Sequence, residues 1–200
     1  MLLALALQAA APQTAVDAER AFNAAAQAKG QWTAFREFAA PEAIVFTPQP
    51  EKAETALPTK NPPIAVQWWP AESFVSCDDS AAVNTGPWVR PKAGGYFTTV
   101  WVRESGGAWK WALDHGDALS KPRAWPEKVK VRRAACGAAP GVGTEAPDPD
   151  ETAGGGNSTD HTLSWYWSVD RVGGRNFVVQ LWNGHAYERV LRNDVAAPTK

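Results

Sequence analysis

The chain has 200 residues, with 20 basic against 21 acidic side chains and a formal net charge of -1. That balance excludes the sustained basic field of a general nucleic-acid binder. A hydrophobic share of 44% with 20% charged residues excludes global disorder and a polytopic membrane protein.

A chain this long buries about 70% of its extended surface, so one large domain, or a small domain with an appendage, folds without a metal or a disulfide. Eleven tryptophans against one methionine and three tyrosines point to an aromatic-lined interior. Residues 1–11, MLLALALQAAA, are an apolar run ending in small residues. It has the length of a signal-peptide core and falls far short of the ~20 residues that cross a bilayer. Residues 1–12 therefore read as a signal peptide of a periplasmic or secreted protein, or else as an apolar tail on a cytoplasmic one. Cys77 and Cys136 are the only cysteines. Outside the cytoplasm they can pair, and closing so long a loop contributes about 4 kcal/mol in the chain-entropy model. Inside it, one is a small buried apolar group and the other an exposed thiol.

A helix is predicted over residues 14–29, with Thr14 as cap, Asp17 three residues on, and Gly30 past the end. Trp32, Phe35 and Phe38 recur at three-residue spacing and predict a second short helix that stops before Pro41. Residues 43–47 form a β-rich run between Pro41 and Pro48, and 51–57 a helical turn. Strands follow at 64–77, broken by Pro70 as an edge or bulge, at 81–90, at 95–103 and at 108–116. In the third of these Phe97, Thr99 and Trp101 share one face, and Tyr96, Thr98, Val100 and Val102 the other. In the fourth, Trp109, Trp111, Leu113 and His115 alternate with Lys110, Ala112 and Asp114. Helices first and an antiparallel meander afterwards predict an α+β fold, a curved sheet with helices on one face.

Beyond Leu119 the composition changes. Residues 121–133 hold six basic side chains and one acid. They read as an exposed edge strand with a lysine-rich outer face, or alternatively as a site for an anionic partner. Residues 134–160, rich in Gly, Pro, Ala and acids, read as a mobile loop. Leu163, Trp165, Trp167 and Val169 then mark a half-buried strand, and 176–182 another. Asn183-Gly184 turns the chain into 185–191, which completes a C-terminal three-strand meander. The divisions are thus 1–12, a main domain at 13–119, a basic segment and loop at 120–160, and the meander at 161–200.

Several stretches resemble the nuclear transport factor 2-like superfamily, and within it the bacterial SnoaL-like domains of unknown function. They are Ala18-Glu19-Arg20-Ala21-Phe22, the helix pair, AIVFTP at 43–48, Trp69-Pro70, and DSAAVNTGPW at 79–88. Residues 96–116 complete the set, with Val100-Trp101, Gly107, Trp109 and Leu113-Asp114-x-Gly116. Their order and spacing carry the likeness over residues 14–119. The resemblance implies a cone-shaped curved antiparallel sheet packed on the N-terminal helices, a pocket between them, and pairing into a homodimer through the sheet's outer face. It does not give the function, because this cone hosts isomerases, dehydratases, cyclases and pure binding modules. In ketosteroid isomerase-like members the strand after the second helix ends in an acid before proline, and that acid is the base. Thr47 stands at the matching position, and threonine cannot take a proton from carbon near neutral pH.

Asp114 and His115 are the remaining candidates for proton transfer. As neighbours in a strand they point to opposite faces and form no direct dyad. Trp69, Trp88, Tyr96, Trp101 and Trp111, with Thr47, lie where inward side chains would line the cone. His115, His161 and His185 lack metal-ligand spacing, and no glycine-rich phosphate loop or Gly-x-Ser-x-Gly elbow is present, so neither a metal nor a cofactor is expected. Three functions remain open. One is an exported domain that binds a small apolar or planar molecule. Another is an isomerase- or dehydratase-like enzyme with Asp114 or His115 as proton carrier and Tyr96 as hydrogen-bond donor. The last is a protein-interaction module using the outer sheet face or the basic strand. Nucleic acid and an integral membrane segment are not expected partners of any of them.

Overall fold

The computed structural model describes residues 13–141, 148 and 150–198, so the expected signal peptide lies outside the described residues. The architecture is α+β, with helices at the N-terminal end and a large mixed sheet after them.

Helix α1 (Ala15–Lys29) begins where Thr14 Oγ1 accepts the Asp17 backbone N–H at 3.1 Å, and ends at Gly30, whose φ of 99° few other residues adopt. Its buried stripe is Ala15, Ala18, Glu19, Phe22 and Ala26. The alanines bring the helix axis close to the sheet, and Phe22 fills the space between. Helix α2 (Gln31–Phe38) is capped from a distance: Asn61 Oδ1 accepts the N–H groups of Trp32 (2.7 Å) and Thr33 (3.2 Å). A short helix α3 (Ala53–Ala56) follows strands β1 (Ala39–Phe46) and β2 (Pro50–Lys52).

The remaining strands of the large sheet are β3 (Gln67–Trp68), β4 (Glu72–Val75), β5 (Ala81–Arg90), β6 (Ala93–Arg103), β7 (Trp109–Ala118) and β8 (Lys130–Arg133). Among the described residues the order is β2-β1-β7-β6-β5-β4-β8, with β3 also paired to β5. The long strand expected over 64–77 is therefore two short ones separated at Trp69-Pro70. The basic segment does form an exposed edge strand, β8, parallel to β4. β1 runs parallel to β7, so the sheet is not purely antiparallel.

A second sheet has the order β12-β11-β10-β9, from β9 (Glu151–Asn157), β10 (Leu163–Asp170), β11 (Arg175–Trp182) and β12 (Tyr187–Val195). Three strands were expected here and four are present. The glycine run at 154–156 reads as loop, yet it pairs with Trp165, Tyr166 and Trp167 of β10. A Cβ at Gly154 would meet the Trp167 ring and one at Gly156 the Trp165 ring, so the indoles of β10 lie over the bare backbone of β9.

The large sheet is covered on both faces. On one, α1 and α2 bury Trp101, Trp109, Trp111 and Phe97. On the other, Phe74, Val83, Val100 and Leu113 meet Leu163, Val169, Phe177 and Val179 of the second sheet. The outer face expected to pair two copies or recruit a partner is thus buried within the chain. Cys77 and Cys136 are disulfide-bonded, with Cα atoms 5.2 Å apart, and tie the end of β4 to the segment after β8. No helix among the described residues is long and apolar enough to cross a membrane.

Candidate functional site

The regular alternation expected along β7 is interrupted. Trp101 pairs with Trp111, but Val100 pairs with Leu113, so Ala112 is an extra residue in the ladder. Trp109 and Trp111 consequently face the helices, while Leu113 and His115 face the second sheet. The four side chains expected on one face are split between two. The bulge also turns Asp114 toward the helices, where Thr99 Oγ1 donates to its Oδ1 at 3.2 Å across the β6–β7 pair.

Between the helices and this face lies a cavity of about 550 Å³. Its apolar wall comes from Phe22 of α1, Trp32 and Phe35 of α2, Trp68 of β3, Trp88 of β5 and Phe97 of β6. Leu57 and Pro58 close one side; Arg36 Nη2 donates to both of their carbonyls, at 2.7 and 3.0 Å, and so ties this segment to α2. Thr47, Thr99 and Asp114 supply polar atoms, and Arg90 lies 5.7 Å from the Trp88 ring. Asp114 keeps part of its surface open to the cavity. Desolvation pushes its carboxyl up to about 7, and the Thr99 hydroxyl pulls the other way.

The same cavity is also lined by His115, Gly116, Asp117, Tyr96 and Arg175. His115 is 3% exposed, stacked on Phe177 (5.4 Å) and edge-on to Phe46 (5.5 Å). Burial, then Arg175 and Arg123, push its imidazole down to about 3, so it is neutral near pH 7. Burial holds the Tyr96 phenol up at about 12. Arg123 lies 3.8 Å over the Tyr96 ring, with Nη1 donating to Thr85 and Nη2 to Asn193.

Of the expected pocket residues, Thr47, Trp88 and Tyr96 line the cavity, as do Asp114 and His115. Trp69, Trp101 and Trp111 do not. Trp69 packs against Trp125, and its neighbour Trp68 is the inward one, because β3 pairs Trp68 directly opposite Trp88. Trp101 and Trp111 are wholly buried, with their N–H groups bound to Glu19 Oε2 (2.6 Å) and the Phe35 carbonyl (2.9 Å). Glu19 is one residue that sequence reasoning missed. Its Oε1 accepts Trp68 Nε1 at 2.7 Å, and Asn84 Nδ2 lies 3.2 Å from Oε2. Burial outweighs these three donors and raises its carboxyl to about 7. A signal was available, since Glu19 interrupts an otherwise apolar helical stripe. Among the described residues no three His, Cys, Asp or Glu side chains come together as a metal site.

No protein-family model matches the chain, and no curated protein and no solved structure matches it either.

Proposed function

We propose that the chain is an exported nuclear transport factor 2-like cone domain that binds a small, largely apolar and planar molecule between its helices and sheet. The observation that carries this reading is the 550 Å³ cavity walled by Phe22, Trp32, Phe35, Trp68, Trp88 and Phe97. Such a wall offers flat rings a large apolar contact area, with a few polar atoms at one end to fix orientation. The helix pair on the sheet supports the cone, and the Cys77–Cys136 bond supports an oxidising compartment. Calorimetric titration with 2-naphthamide, a neutral bicyclic aromatic, tests the proposal. Saturable one-to-one binding is expected, weakened about tenfold in Trp88→Ala by loss of a ring face. Absence of saturable binding by folded protein overturns it.

A second reading is favoured by one observation: Asp114 places a carboxyl held at about 7 inside that aromatic cavity. A group poised near neutrality can take a proton from carbon and return it, as an isomerase requires. Hydrogen–deuterium exchange at the α-carbon of 2-tetralone, followed by NMR, tests it. Catalysed exchange that disappears in Asp114→Asn supports the reading; equal exchange by both proteins overturns it.

A further inference from the structure

We propose that the far end of the cavity, between Arg175, Tyr96 and His115, is a subsite for an anionic group, and that the natural ligand is an organic acid whose carboxylate docks there. This rests on the pocket reading above and adds the class of ligand.

The Tyr96 hydroxyl, both ring nitrogens of His115 and Arg175 Nε are buried without a hydrogen-bond partner, and all three side chains line the cavity. Leaving a buried polar atom unpaired costs about 1–3 kcal/mol, so orphans gathered at one place mark where a partner belongs. Three of the four can donate while the imidazole is neutral: the hydroxyl, the guanidinium N–H and one imidazole nitrogen; the second ring nitrogen becomes a donor on protonation. A carboxylate, which offers acceptors alone, suits those donors and favours that protonation.

The charge points the same way. Arg175 lies on β11 and donates through Nη2 to the Gly116 carbonyl at 2.9 Å. Arg123 covers the Tyr96 ring from the segment between β7 and β8. Neither guanidinium makes an ion pair among the described residues, and burial lowers the pKa of both. Both guanidinium groups help hold the His115 imidazole neutral, so an anion beside His115 meets a favourable field from each. Asp117 favours the charged form of Arg175 from beyond ion-pair distance. Asp114 opens on the same cavity from the other face, and its raised pKa lets it accept a proton when an anion arrives. Arg175 also lies 5.9 Å from the ring of Phe46, another residue of the same cavity lining.

The experiment compares 2-naphthoate with 2-naphthamide, of similar shape, by calorimetry at pH 7, and follows the His115 ring resonances by NMR. Naphthoate should bind about tenfold more tightly than the amide, as one charge-assisted contact is worth. In Arg175→Met the ratio of naphthoate to naphthamide affinity should fall to about one. In the unaltered protein, naphthoate but not the amide should raise the His115 pKa, a readout that does not depend on the variant folding. Equal affinity for the two probes, a preference that survives in Arg175→Met, or a His115 titration unmoved by naphthoate overturns the subsite while the pocket stands. Binding of neither probe overturns the pocket itself, and the subsite with it.

Discussion

Glu19 Oε2 accepts the indole N–H of Trp101 at 2.6 Å, and both side chains are fully buried. The same carboxyl holds Trp68 through its other oxygen, so a single acid on α1 fixes an indole on β3 and another on β6. One of those rings, Trp68, forms cavity wall. The helix thereby sets the shape of the pocket as well as the packing of the core.

Glu19→Ala removes the acceptor from two buried N–H groups and opens a void. Stability should fall by about 3 kcal/mol or more, the sum of unsatisfied donors and a cavity. Urea unfolding followed by tryptophan fluorescence measures it. A midpoint within error of the unaltered protein would show that the Glu19 contacts carry no net stabilisation.

Stability should decline as pH rises from 5 to 8. Glu19 and Asp114 each have a folded pKa of about 7, above their unfolded values, so the folded state holds more protons and loses that advantage as pH climbs through 7. His115 acts in opposition: its folded pKa of about 3 lies below the unfolded one, so its contribution is lost as pH falls below the unfolded value. Two acids against one base leave a net decline of about 3 kcal/mol across the window, at about 1.4 kcal/mol per pKa unit. Urea midpoints at the two pH values test this. Asp114→Asn should flatten the decline and His115→Phe should steepen it.

Trp101→Ala and Trp88→Ala should separate structure from binding. Trp101 is wholly buried and its loss should cost about 3–5 kcal/mol. Trp88 is half-buried on the cavity, so its loss should cost about 1 kcal/mol and act mainly on ligand affinity. Thermal unfolding of the two variants in parallel checks the ranking, and equal losses would contradict the assignment of Trp88 to the cavity wall.

Reducing the Cys77–Cys136 bond should add two hydrogens to the intact mass and lower stability by about 4 kcal/mol. Mass spectrometry with and without reductant reads the first, and urea unfolding of Cys77→Ser with Cys136→Ser the second. An unchanged mass on reduction would contradict the pairing.

Most of the strands were legible as β-branched and aromatic runs between turn residues, although only β11 alternates regularly in burial, since β5 and β6 are covered on both faces. The β7 pattern misled at one point. A bulge adds a single residue at Ala112, leaves no compositional trace, and exchanges the faces of everything after it. β9 was illegible for a different reason: Gly154 and Gly156 read as loop until the indoles of β10 lie over them. At the site, Asp114, His115, Trp88, Tyr96 and Thr47 were legible as polar or aromatic groups at strand ends. Arg175 was not, because the tail that carries it has no local pattern pointing back to β7, and only the docking of the second sheet brings it to Gly116.

The back of the large sheet is waterproofed by the chain's own last strands. Cutting the chain after Leu119 would therefore leave Phe74, Val83, Val100 and Leu113 facing solvent as one greasy panel. The shorter piece should clump rather than stay dispersed, so neither half is fit to be handled alone.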